Sequence, residues 1–152
     1  MKKVEKEPKL IPICEGFTFD LGDKKSEVLE PPGHTEGCLC FLSRSDRIMF
    51  SGDTFNPLML MFLAHATSIE EYRETQEKLL KIDGYDVFWP SHLSAPLTRE
   101  DGAGIMKTAD KILKQKHNFL LPSIFIKTVD KRSIIYRPDH VRRKKKEKQK
   151  QG

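Results

Sequence analysis

The chain has 152 residues, with 27 lysines and arginines against 22 aspartates and glutamates, and 38% of its residues are apolar. This length fits a single domain with a real core better than two domains. No apolar stretch reaches the roughly 18 to 20 residues that a membrane-spanning helix needs, and the charged first residues do not resemble a secretory signal. We therefore expect a cytoplasmic protein without a membrane span.

The positive charge is concentrated at the end of the chain. Residues 137–152 contain eight basic and two acidic residues, whereas residues 1–136 contain 19 basic and 20 acidic ones. A segment so rich in charge cannot bury apolar surface. The sequence thus predicts a near-neutral domain over residues 1–136, followed by a disordered basic tail over residues 137–152.

Two β-hairpins are predicted in the first third of the chain. Apolar and polar residues alternate over residues 17–21, a Gly-Asp turn follows, and residues 26–30 continue in an extended segment. Alternation on both sides of a turn is typical of a hairpin. The apolar residues 38–42 and 47–50, separated by a polar turn, predict the second hairpin.

The three cysteines are an odd number in a chain without an export signal, which favours reduced thiols. Cys38 and Cys40 are two residues apart, so we expect them on the same face of a strand. Buried cysteines in that position behave as small hydrophobic residues more often than as a metal or redox pair.

The apolar run over residues 58–63 is too short to cross a bilayer and shows no clear amphipathic period. We expect it to pack in the core. The alternative is that it lines the mouth of a site together with Tyr72 and Trp89, because methionine-rich apolar segments adapt to ligands.

Two helices are predicted in the middle of the chain. Ser68 and Glu71 are spaced as a capping box and precede a helical apolar pattern over residues 69–82. Thr98 and Asp101 are spaced in the same way before an apolar pattern that continues to Leu113.

The remaining predicted elements are strands. A short strand over residues 86–89 lies between the two helices, and residues 123–128 and 133–136 form a final strand pair. This order of hairpins, helices and strands predicts a mixed α/β (α+β) structure.

Three predicted extended segments end in a small residue that is followed at once by a side chain able to bind a metal. These are PPGH, ending at His34, SGD, ending at Asp53, and PSH, ending at His92. A single Gly-His or Gly-Asp pair at a turn is more often structural. Three of them at the ends of strands predict that the side chains meet at one edge of a sheet, where two imidazoles and a carboxylate suit Zn²⁺ or Fe²⁺.

The motifs PGHTEG, SGD and PSH together resemble the C-terminal half of the metallo-β-lactamase superfamily, over about residues 16–113. The resemblance implies part of a four-layer αββα sandwich, a mixed β-sheet with flanking helices. It implies that His34 binds one metal ion, that Asp53 bridges two, and that His92 binds the second. It also implies Zn²⁺, with Fe²⁺ or Mn²⁺ as alternatives, and hydrolysis by a metal-activated water.

The superfamily's other metal-binding motif, HxHxDH, does not occur in these residues, and His65, His117 and His140 are isolated. Each metal position would therefore keep about two protein ligands, where a catalytic zinc normally has three. We expect the chain to be the C-terminal portion of a metallohydrolase of an ester, thioester or phosphoester. A polypeptide with the N-terminal half, or a second copy, would complete it, and the chain alone would present an exposed apolar face and bind metal weakly.

The alternative function is a non-catalytic interaction module. In that interpretation, the basic tail binds nucleic acid or an acidic protein surface. Because the tail has no aromatic residues between its lysines and arginines, binding to nucleic acid would be non-specific.

Overall fold

The computed structural model describes residues 9–93, 95–117 and 123–143. Its elements, in chain order, are β1 (Thr18–Asp20), β2 (Lys25–Leu29), β3 (Cys40–Ser43), β4 (Ile48–Gly52), β5 (Leu58–Met61), α1 (Ile69–Lys81), β6 (Val87–Pro90), β7 (Leu97–Thr98), α2 (Arg99–Leu113), β8 (Phe125–Val129), β9 (Arg132–Tyr136) and a 3₁₀ turn, Pro138–His140. The fold is mixed α/β with flanking helices, as predicted.

The larger sheet has six strands in the order β1-β2-β3-β4-β6-β7. Both predicted hairpins are present, since β1 pairs with β2 and β3 pairs with β4 in antiparallel orientation. Strand β6 joins β4 in parallel orientation, because the chain returns through α1 before β6 begins. Strands β2, β4 and β6 consequently run in the same direction and end at the same edge of the sheet.

The smaller sheet has three strands in the order β5-β9-β8. Strand β5 is parallel to β9, and β8 and β9 form the predicted antiparallel pair. The N–H of Ser133 donates to the carbonyl oxygen of Pro57 at 2.8 Å, which ties the start of β9 to the start of β5.

Each helix begins with the capping box predicted for it. In α1 the Ser68 side chain accepts from the N–H of Glu71, and in α2 the Thr98 side chain accepts from the N–H of Asp101. The two helices approach each other at Gly102, where a Cβ would lie 2.8 Å from Leu80 Cδ2. Their apolar faces and both sheets contribute residues to the core. Neither described helix is long and apolar enough to span a membrane.

The prediction that the apolar run 58–63 packs in the core is confirmed for only one face of β5. In β5, Met59 and Met61 are buried, whereas Leu58 and Leu60 are 51% and 38% exposed. The segment therefore alternates with period two, as an edge strand does. The alternation was hidden in the sequence because both faces of the strand are apolar.

The two neighbouring cysteines do not share a strand, so that prediction was wrong for Cys38. Cys40 lies in β3 and is buried, and burial raises the pKa of its thiol to about 12. Cys38 precedes β3, and its sulfur accepts a hydrogen bond from the N–H of Thr35 at 3.3 Å.

Residues 137–143 pack on the domain, although they lie beyond its predicted boundary at residue 136. Val141 is only 2% exposed and belongs to the core. Arg142 pairs with Glu70, and Arg143 pairs with Glu71 and Glu74, all three on α1. The segment 137–143 therefore packs on the domain through one apolar anchor and two arginines, and the rest of the predicted tail, residues 144–152, lies outside the described residues.

One face of the larger sheet carries an aromatic stripe, which we define as Phe19, Phe41, Phe50 and Trp89. Phe50 lies opposite Phe41 on one side and opposite Trp89 on the other, and the Phe19 and Phe41 ring centroids are 6.2 Å apart. Phe50 and Trp89 are 44% and 40% exposed. The strand residues beside Phe41, Phe50 and Trp89 are buried on the opposite side of the sheet, so an exposed apolar face is present as expected.

Candidate metal centre

Asp53 and His92 meet because they follow two neighbouring parallel strands. Gly52, at the end of β4, lies opposite Pro90, at the end of β6. Its backbone has a φ of +53°, a conformation that glycine adopts readily. The N–H of Ser91 donates to the carbonyl oxygen of Gly52 at 3.1 Å. Beyond this link, His92 Nε2 lies 3.2 Å from Asp53 Oδ1.

The turn that carries His34 packs directly on the turn that carries Asp53. A Cβ placed on Gly33 would lie 2.9 Å from Thr54 Cα and 2.8 Å from Thr54 Cγ2. Only a glycine allows the residue before His34 to lie so close to the residue after Asp53. The structure thus brings together the ends of all three predicted motifs.

Polar side chains of α1 hold these two turns through hydrogen bonds to their backbone. The hydroxyl of Thr75 donates to the carbonyl oxygen of Pro32 at 2.6 Å, and Gln76 Nε2 donates to the carbonyl oxygen of Thr54 at 3.0 Å. Both side chains belong to buried residues. The carbonyl group of Thr54, a fully buried residue, needs such a partner, and one helix fixes the positions of both turns.

His34, Asp53 and His92 line a single open cleft of ≈ 530 Å³. Its other walls are formed by the start of β5 and by the turn between β8 and β9. The remaining residues that line it are Asn56, Pro57, Leu58, Met59, Leu60, Leu93, Lys131 and Ser133. The cleft is therefore polar at the sheet edge and mainly apolar along β5.

Three buried atoms in this cleft have no hydrogen-bond partner among the described residues: His34 Nδ1, Asp53 Oδ1 and Asn56 Oδ1. His92 Nε2 lies 3.2 Å from Asp53 Oδ1, but the imidazole is not oriented to form a hydrogen bond with it. Buried polar atoms without partners are rare in folded proteins. An imidazole nitrogen and a carboxylate oxygen are also preferred ligands of Zn²⁺, so the donor set fits a metal cation.

The coordination that these residues offer is nevertheless incomplete. Within residues 9–93, 95–117 and 123–143, no three side chains of His, Cys, Asp or Glu form a cluster that could hold one ion. A catalytic zinc normally has three protein ligands. The three residues are therefore too few to form a complete metal site, for which further donors would be needed.

Tyr72 and Trp89, the alternative candidates for the site mouth, lie elsewhere, and the isolated histidines also lie outside the cleft. Tyr72 is fully buried in the core, and Trp89 lies in the aromatic stripe. Among the isolated histidines, His65 is exposed, and His117 Nε2 lies 2.9 Å from the carbonyl oxygen of Ile112 at the end of α2. His140 lies in the 3₁₀ turn. None of these five residues lines the cleft that contains His34.

The sequence did not predict that Asn56 and Lys131 line the cleft. Asn56 had a weak signal, since it lies three residues after Asp53 in the same turn region. Lys131 had none near the motifs, because it reaches the cleft only through the pairing of β9 with β5. The apolar run in β5 was assigned to the core, with the site mouth as the alternative, and the structure shows that its two faces do both.

Comparison with known proteins places these observations in a family. A family model described as the metallo-beta-lactamase superfamily matches residues 2–92. An acyl-coenzyme A thioesterase of Homo sapiens is 32% identical over 76 residues, which is 50% of this chain and 27% of that protein. A hydroxyacylglutathione hydrolase of Francisella tularensis subsp. novicida (strain U112) is 31% identical over 81 residues, or 53% of this chain and 32% of that protein.

Solved structures support the same fold. A metallo-beta-lactamase family protein from Thermus thermophilus matches with a TM-score of 0.57 and 18% identity, over 70% of this chain and 37% of that one. A beta-lactamase domain protein from Burkholderia ambifaria matches with a TM-score of 0.56 and 19% identity, over 71% and 36%. Matches of this kind cover about a third of each relative's length.

Proposed function

Because the chain belongs to the metallo-β-lactamase superfamily, we propose that it supplies His34, Asp53 and His92 to the metal centre of a hydrolase. The observation that carries the proposal is the meeting of the three turns in one cleft. The partnerless buried atoms His34 Nδ1 and Asp53 Oδ1 support it further, since coordination would satisfy both.

In this proposal His34 binds one ion, Asp53 bridges two, and His92 binds the second. The ions are Zn²⁺, with Fe²⁺ or Mn²⁺ as alternatives. When bound, such ions lower the pKa of a water ligand and polarise the carbonyl or phosphoryl group under attack. The remaining ligands come from polypeptide beyond the described residues, either one that carries the superfamily's HxHxDH motif or a second copy of this chain.

We favour an acyl ester or thioester over a phosphoester as the substrate. The names of the two relatives describe the hydrolysis of acyl groups from coenzyme A and from glutathione. The cleft also suits an acyl chain, because the partly exposed Leu58 and Leu60 lie beside the ligand residues. These leucines would pack on the chain and exclude water from it.

The remaining role of this chain is to hold the ligand side chains in place. Thr75 and Gln76 fix the carbonyl groups beside the turns of His34 and Asp53, and the Ser91 hydrogen bond fixes the turn of His92. Ligands that are already positioned need no rearrangement when a cation or substrate enters.

The test is a titration of the full chain with Zn²⁺, followed by calorimetry and by elemental analysis after gel filtration. Asp53→Ala should weaken Zn²⁺ binding by at least tenfold, because it removes the bridging carboxylate. His65→Ala is the matched control, since His65 is an exposed histidine outside the cleft, and it should leave binding unchanged.

The same proteins should then be assayed for thioester hydrolysis in the presence of a polypeptide that contains HxHxDH. Turnover that requires both this polypeptide and Asp53 would support the proposal. If Asp53→Ala and His65→Ala bind Zn²⁺ equally, with and without that polypeptide, the metallohydrolase proposal fails.

A further inference from the structure

We propose that Asn56 and Lys131 form the substrate-recognition part of the cleft, and that the substrate combines an apolar acyl chain with an amide N–H and an anionic group on its carrier. This inference rests on the proposed hydrolase function and defines its substrate class. Three features of the cleft carry it: a buried amide oxygen without a partner, a cation in a strained turn, and an exposed leucine wall.

Asn56 provides the first feature. Its side chain lines the cleft, the residue is only 8% exposed, and Oδ1 is buried with no hydrogen-bond partner in the described part of the chain. A buried amide oxygen without a donor costs free energy. Because Asn56 lies in the same turn region as Asp53, a substrate N–H could reach this oxygen while its ester group faces the ligand residues.

Lys131 provides the second feature. Asp130 and Lys131 form a two-residue turn between the paired residues Val129 and Arg132. Their φ angles are +47° and +64°. Turns of this kind favour Asn-Gly or Asp-Gly, because a residue with a Cβ is strained at positive φ. A lysine where glycine would fit better indicates a role for its side chain.

The charge of Lys131 is available to a ligand. The neighbouring Arg132 pairs with Asp101, whereas Lys131 makes no ion pair within the described residues and lines the cleft. Lys131 is an exposed residue that lines the cleft, so its ammonium group is accessible to an anion on a bound substrate. A carboxylate or phosphate on the substrate's carrier would supply that anion.

The third feature is the leucine wall, which we define as Leu58 and Leu60 of β5. It sets the position of an acyl chain relative to the other two features. Leu58 and Leu60 are partly exposed on β5, and Leu58 lies opposite Ser133 of β9. The hydrogen bond from Ser133 to Pro57 joins the wall to the hairpin that carries Lys131. An acyl chain along the wall would therefore lie at a fixed position relative to the cation.

The experiment compares three probes that bind to the full chain without added metal. N-Octanoylglycine has the apolar chain, the amide and the carboxylate. Its methyl ester lacks the negative charge, and undecanoate replaces the amide with methylene groups at the same length. Calorimetry should show that the unaltered chain binds N-octanoylglycine about tenfold more tightly than either of the other probes. The methyl ester loses the charged hydrogen bond to Lys131, and undecanoate loses the buried hydrogen bond to Asn56.

Lys131→Asn should abolish the preference for the acid over the methyl ester, because asparagine accepts positive φ but carries no charge. Lys131→Gly should do the same while its melting temperature stays equal or rises, since it creates the favoured Asp-Gly turn. Asn56→Ala should abolish the preference for N-octanoylglycine over undecanoate. Lys107→Gln, which removes an exposed lysine of α2, is the charge control and should change neither preference.

The inference is overturned if the unaltered chain binds the three probes equally, or if Lys131→Asn, Lys131→Gly and Lys107→Gln keep the same preference. An Asn56→Ala variant that still prefers the amide probe would remove the role of Asn56. The probes contain no thioester and no metal is added, so a negative result in the Zn²⁺ titration leaves this measurement interpretable, and the reverse also holds.

Discussion

At the scale of single residues, the close approach of Gly33 to Thr54 requires a glycine. It brings the turns of His34 and Asp53 together without a side chain between them. We predict that Gly33→Ala destabilises the fold by about 1–3 kcal/mol, because the added methyl group would overlap backbone as well as side-chain atoms. It should also weaken Zn²⁺ binding, since the two turns must separate.

Urea unfolding and Zn²⁺ titration test this prediction. Gly37→Ala is the control, because a Cβ at Gly37 meets no atom within 4 Å, and its stability should stay within about 0.5 kcal/mol of the unaltered chain. Equal stability of the two variants would show that the turns do not depend on the contact.

The sequence was sufficient to predict which residues meet at the sheet edge. His34, Asp53 and His92 each end a local motif, and local motifs can be read without knowing the fold. Asn56 and Lys131 were not predicted, because their place in the cleft depends on the pairing of β5 with β9. That pairing joins residues far apart in the sequence and leaves no local signal.

At the scale of elements, α1 links the site to the C-terminal segment. Thr75 and Gln76 fasten the ligand-bearing turns, while carboxylates in its first turns bind the segment 137–143. The N–H of Arg143 donates to the carboxylate of Glu70 at 3.1 Å. This bond, together with the Arg142 guanidinium, holds the pKa of Glu70 below its ordinary value of 4.5.

This lowered pKa predicts a pH dependence. The folded state favours the ionised form of Glu70, so its contribution to stability is complete above pH 4.5 and is lost as the pH falls through the lower folded-state pKa. At pH 7 we expect Glu70→Gln to be less stable than the unaltered chain by about 0.5–1 kcal/mol. The difference should shrink as the pH falls below 4.5.

Urea unfolding between pH 3 and pH 7 measures this difference. Glu100→Gln is the control, because Glu100 is an exposed first-turn residue of α2 whose side chain makes no ion pair in the described part of the chain. A constant difference between Glu70→Gln and the unaltered chain over the whole range would contradict the assigned role of the Arg143 hydrogen bond.

The helices and hairpins were predicted from the sequence because their signals are local. Capping boxes mark the start of both helices, and alternation with a turn marks each hairpin. Strand β5 was not predicted as a strand with two different faces, since leucine and methionine give both faces the same polarity. The packing of residues 137–143 on the domain was not predicted, because Val141 is a single apolar residue among charged ones.

At the scale of the whole molecule, the aromatic stripe is a partly exposed apolar surface that a partner could cover. Helices cover one face of the larger sheet, whereas Phe50 and Trp89 remain partly exposed on the other. Apolar faces of this kind are usually buried against another layer. We expect concentration-dependent association of the isolated chain, driven by burial of this stripe against a second copy.

Sedimentation velocity over a range of concentrations tests this expectation. The double variant Phe50→Thr with Trp89→Thr should associate more weakly, and its unfolding free energy should change little, because both side chains project away from the core. Leu21→Thr is the control, since Leu21 is 64% exposed but lies outside the stripe. Association that is unaffected by the double variant would place the contact elsewhere.

The hydrogen bonds that join the ligand-bearing turns have a thermodynamic consequence. Since α1 and the sheet already order His34, Asp53 and His92 in the folded chain, cation binding loses little conformational entropy and needs no folding transition. A bound ion should therefore raise the melting temperature in proportion to the logarithm of its free concentration. In small zinc-dependent domains, by contrast, the metal creates the fold, whereas in this chain the fold would precede the metal.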